Sequence, residues 1–116
     1  KMPKVVVNAC FGGFGLSHDA IMRYGELANL NLLYQEGEHR WNSSYYKNGV
    51  INDDNHFWDN DIERDDPILV QVVEEMGREA NSDCADLRIA DVPDDIEWYI
   101  DDYDGIETVR EVHRTW

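Results

Sequence analysis

The sequence predicts a single α/β or α+β domain, with two helices packed on a mixed sheet of four or five strands and a C-terminal β-hairpin. Three observations carry that reading. Val5-Val6-Val7, a glycine-rich turn and an apolar helical pattern open the chain in strand–turn–helix order. Asp66-Pro67 starts a second helix. Asp104-Gly105 marks a two-residue hairpin turn. The 116 residues suit one domain over 1–116 and leave little room for two.

Each element has a local cause. Val5-Val6-Val7 is β-branched and uninterrupted, so residues 4–9 read as a buried strand. Gly12, Gly13 and Gly15 break it, and Ser17 supplies an N-cap, with Leu16 and Ile21 placed for a hydrophobic staple. Ala20, Ile21, Tyr24, Leu27 and Ala28 follow helical spacing, which predicts a helix over 18–30. Gly25 inside it costs roughly 1 kcal/mol against alanine and marks a close packing contact. Leu32-Leu33-Tyr34 reads as a second strand, so the opening resembles a βαβ unit with a parallel pair. Residues 36–66 show no periodicity, a long excursion with room for a short strand near 43–46. Leu69, Val72, Val73, Met76 and Ala80 recur on one face, predicting a helix over 66–80 that Asn81 stops. Leu87, Ile89 and Val92 form one strand candidate, and Ile96, Trp98 and Ile100 another. A two-residue turn sets Tyr103 opposite Ile106, Ile100 opposite Val109 and Glu97 opposite Val112. That last pairing is imperfect, so 107–113 is left open between strand and helix.

Charge bounds the function. Lys and Arg total 10 against 25 Asp and Glu, a net charge of −15, which disfavours direct binding to nucleic acid. Residues 1–50 sum to +1 and residues 51–116 to −16, so one face has either an electrostatic task or a solubilising one. No apolar run approaches the ~20 residues of a membrane span and no signal-peptide pattern is present, pointing to a soluble intracellular protein. Cys10 and Cys84 fit no paired-cysteine motif and read as isolated thiols.

Two segments invite chemistry. In the first, Gly12, Gly13, Gly15 and Ser17 lie between strand and helix, where backbone N–H groups and a helix N-terminus can hold a phosphate, with Arg23 or Arg40 adding charge. The third glycine of a dinucleotide fingerprint and the Lys-Ser/Thr pair of a P-loop are missing, so a tight turn pinned to the core by Phe11 and Phe14 is the competing reading. In the second, Asp59, Asp61 and Glu63, followed later by Asp94, Asp95, Asp101 and Asp102, offer carboxylates that can be a solvated surface, cation ligands or stand-ins for nucleic-acid phosphates. The spacing fails an EF-hand, because Arg64 and Val70 fall where Gly and Glu belong. His18, His39, His56 and His113 show no metal spacing, and no nucleophile motif is present, so neither a catalytic residue nor a cofactor is predicted.

Five motifs in order carry a resemblance: Phe11-Gly12-Gly13-Phe14-Gly15-Leu16-Ser17; Asp66-Pro67; Pro93-Asp94-Asp95 with Glu97-Trp98; Tyr103-Asp104-Gly105; and His113-Arg114-Thr115-Trp116. Together they resemble a group of small uncharacterised proteins of tailed phages and prophages, over most of the chain except residues 36–64. The group supplies no assigned activity or site residue to carry over. The resemblance implies a bacterial cytoplasm during infection and an accessory role. The leading expectation is therefore a binding protein rather than an enzyme, its partner a host or phage protein with a basic surface, such as a host nuclease or defence complex.

Overall fold

The computed structural model describes residues 4–11, 13–37, 43–83, 85–93 and 96–112. It is an α+β domain. The strands are β1 (Lys4–Asn8), β2 (Leu33–Gln35), β3 (Ser44–Tyr46), β4 (His56–Phe57), β5 (Leu87–Asp91), β6 (Trp98–Tyr103) and β7 (Ile106–Glu111), with helices α1 (His18–Leu27) and α2 (Pro67–Met76). No helix among the described residues is long and apolar enough to cross a membrane.

Two helices and the C-terminal hairpin match the expectation, but the mixed sheet does not. The described strands form three antiparallel sheets, β1–β5, β2–β3–β4 and β6–β7. The βαβ reading fails because β1 has no room for a parallel neighbour. Val6 pairs with Ile89 of β5 on one edge. On the other edge Val6 N–H donates to the Arg64 carbonyl at 2.8 Å, and Asn8 N–H, two residues on, donates to Glu107 Oε1 at 2.9 Å. A carbonyl from a turn and a buried carboxylate thus satisfy donors that a further strand would have used. After α1, Asn29 and Asn31 take positive φ and turn the chain toward β3 instead.

β1 is buried on both faces, which accounts for its unbroken valine run. Val6 joins the main core with Leu16, Ile21, Tyr24, Leu69, Val72 and Val73 beneath the helices. Val5 and Val7 join Val92 in a second core, packed against Trp98, Ile100 and Val109 of the hairpin. Helices, β1–β5 and β6–β7 are therefore stacked layers.

The predicted caps are present. Ser17 Oγ accepts from Ala20 N–H, and Asp66 Oδ1 accepts from Ile68 N–H with Pro67 in the first turn. The Tyr24 hydroxyl donates to the other Asp66 oxygen at 2.6 Å, tying α1 to the start of α2. Helix α2 stops at Met76, earlier than Asn81, because Gly77 turns with φ +59 before a short 3-10 turn reaches Ala80. Gly25 is needed for space: a Cβ there would lie 2.4 Å from Leu32 Cδ1. Residues 106–111 are strand, with Tyr103 opposite Ile106 and Ile100 opposite Val109 as the turn requires. Asp104 and Gly105 both have positive φ, the geometry of a type I′ turn.

Candidate functional site

The glycine loop is bound into the fold on several sides. Gly105 approaches it so closely that a Cβ would lie 2.5 Å from the Phe11 carbonyl oxygen. Asn8 Nδ2 donates to the Cys10 and Gly105 carbonyls, both at 2.6 Å. Glu107, buried in the hairpin, pairs with Arg64, whose guanidinium lies 3.7 Å over the Phe14 ring. Phe14 thus anchors the loop as expected, whereas Phe11 does not: its side chain is 68% exposed.

Several of the donors that a phosphate would use are engaged. Leu16 N–H donates to Asp59 Oδ2 at 2.9 Å, Ser17 N–H to the Ala80 carbonyl at 2.9 Å, and Ser17 Oγ to the Glu79 carbonyl at 2.6 Å. Gly15 is buried against Ser82, and Gly13 takes φ +93 in the turn. Arg23 lies on α1 and pairs with Glu26 and Glu75, so its charge is directed at α2. Gly12 and Arg40 lie outside the described residues. The Asp59 carboxylate held at Leu16 N–H repels a phosphate at this end of the loop, while the Arg64 guanidinium is committed to Glu107 and the Phe14 ring.

Asp59 also lines a groove of about 660 Å³, between the N-terminus of α1 and the β2–β3–β4 sheet. Antiparallel pairing places Tyr34, Tyr45 and Phe57 on one sheet face, turned toward α1. There the His18 and Tyr34 rings are 4.4 Å apart, Tyr34 and Tyr45 are 5.2 Å apart, and His18 Nδ1 shares a 2.8 Å hydrogen bond with the Tyr45 hydroxyl. His56 and Trp58 meet edge to face at 4.0 Å on the rim, and Trp58 is 58% exposed. Burial, followed by the neighbouring Tyr34 and the Asp59 and Asp19 carboxylates, pushes the Tyr45 hydroxyl up to about 12. The groove therefore holds a neutral phenol, several aromatic faces and two carboxylates, Asp59 and Asp83. Among the described residues that line it there is no Lys or Arg.

The acidic residues selected from the sequence do not converge on one point. Asp59 is in the groove, while Asp61 and Glu63 are exposed beside it in sequence. Asp101 pairs with Arg110 across the hairpin at 2.6 Å, and Asp102 Oδ1 accepts from Gly105 N–H at 2.9 Å. Asp94 and Asp95 lie outside the described residues, as do Cys84, His39, His113 and Trp116. Sequence reasoning missed the groove aromatics Tyr34, Tyr45 and Trp58. The available signal was the density of aromatic residues in the excursion, which covers Tyr45 and Trp58 but not Tyr34, because the rings are assembled from separate segments.

No known protein family, curated protein or solved structure matches the chain.

Proposed function

We propose that this is a small acidic accessory protein of the phage type it resembles. It acts by binding a host or phage protein with a basic surface in the bacterial cytoplasm, with its carboxylates standing in for nucleic-acid phosphates. A host nuclease or defence protein is the class of partner that such mimicry would antagonise. The observation that carries this reading is the imbalance of exposed charge. Lys4, Arg23, Arg64, Arg88 and Arg110 are each engaged by a carboxylate. Asp53, Asp54, Asp61, Glu63 and Asp65 are exposed, in a chain whose net charge is −15. Such a surface steers a cationic partner toward it and repels nucleic acid. The phosphate-loop alternative gains no support from a loop whose Leu16 N–H already faces a carboxylate. Capture from a bacterial lysate at low and high salt tests the proposal. Contacts between exposed charges weaken as salt rises, so a nucleic-acid-binding protein should be retained at low salt and released at high salt. Retention of no such protein by the folded bait at low salt refutes it.

A further inference from the structure

We propose that the aromatic groove takes an arginine side chain from a basic segment of the partner, so that it reads arginine in preference to lysine. This deepens the proposed function and rests on it. Three features select the guanidinium. Tyr34 and Trp58 present aromatic rings in the groove, and both are exposed enough to be reached. A planar, weakly hydrated guanidinium stacks on such faces better than a compact, strongly hydrated ammonium. Asp59 supplies the counter-charge: one oxygen holds Leu16 N–H, and each carboxylate oxygen can accept more than one hydrogen bond. Asp83, on another stretch of the groove lining, adds a second negative charge. The same two carboxylates oppose a phosphate or a nucleotide. The volume of about 660 Å³ is in the range of side-chain and small-ligand sites. Trp58 is the informative position, because a Trp that is 58% exposed contributes little to the core yet forms the groove rim.

The test uses two peptides of equal length and charge, alternating Gly-Arg and alternating Gly-Lys, titrated into the intact protein at low salt by calorimetry and by amide chemical shifts. The expected result is binding of the arginine peptide about fivefold tighter, the scale of one cation–π contact. Shifts should centre on His18, Tyr34, Tyr45 and Trp58. Trp58→Ala should bring the two affinities together, and Trp58→Phe should restore part of the difference. Asp59→Asn should weaken the arginine peptide, with folding checked by circular dichroism. Equal affinities that ignore Trp58→Ala, with shifts spread over the acidic surface, would overturn the arginine site and leave the basic-partner reading intact. If neither peptide binds at low salt, both fail.

Discussion

Replacing Glu107 by alanine tests how the glycine loop, β1 and the hairpin are held together. The carboxylate side chain is 6% exposed and the Arg64 side chain 17%, so the pair lies mostly out of water. Glu107 also accepts from Asn8 N–H, which is fully buried. Truncation leaves the Arg64 guanidinium, among the described residues, with the Phe14 ring alone and strands the Asn8 donor. Breaking a buried pair from one side costs about 3–5 kcal/mol, and the unmet amide falls within the same local loss. Against a domain stability of roughly 5–15 kcal/mol that is a large fraction. At about 4 °C per kcal/mol for a chain of this size, the melting temperature should fall by about 12–20 °C. Urea denaturation of Glu107→Ala, Arg64→Ala and the double variant measures it. The double variant should lose less than the sum of the single losses, because removing both charges leaves no uncompensated ion. A loss below about 1 kcal/mol for Glu107→Ala, the size expected of an exposed pair, would refute the account of this network.

Gly25→Ala should destabilise the fold, although alanine gains up to about 1 kcal/mol over glycine in an unconstrained helix; the Cβ would sit 2.4 Å from Leu32 Cδ1. A rise in melting temperature would show that Leu32 moves aside freely. Tyrosine absorbance titration should show a group ionising near pH 12 that is absent from Tyr45→Phe. Since the native hydroxyl keeps its proton above the unfolded pKa of about 10, its contribution to stability is present below that pH and lost as pH rises toward 12. Nucleotides, cyclic nucleotides and inorganic phosphate should leave the melting temperature unchanged. A true ligand at 100 times its dissociation constant adds about 2.7 kcal/mol, so a clear upward shift would restore the phosphate-loop reading.

What the sequence revealed depended on whether the cause was local. Asp66-Pro67 specifies the start of α2, and Asp104-Gly105 specifies the hairpin and its register, because cap and turn chemistry act within a few residues. The end of α2 was obscured because Ala80 continues the apolar spacing and is buried, although Gly77 has already turned the chain. The valine run of β1 signals burial on both faces but not its neighbours. Those depend on the Arg64 carbonyl and the Glu107 carboxylate, which come from distant segments. The groove was hidden for the same reason. His18 opens a helix, Tyr34 and Tyr45 lie on different short strands, and Trp58 follows a third. Only antiparallel pairing sets Tyr34 beside Tyr45 and brings both to α1. The bond from Leu16 N–H to Asp59, a link between excursion and loop, has no sequence signature.

If the acidic surface stands in for nucleic acid as proposed, it and nucleic acid compete for the same face of a basic partner. The most direct measurement takes a partner retained at low salt and titrates duplex DNA against the complex while following this protein's release. Competition requires mutually exclusive binding: DNA displaces the protein, and the protein's affinity falls steeply as salt rises. A stable ternary complex of partner, DNA and this protein, with affinity insensitive to salt, would contradict it.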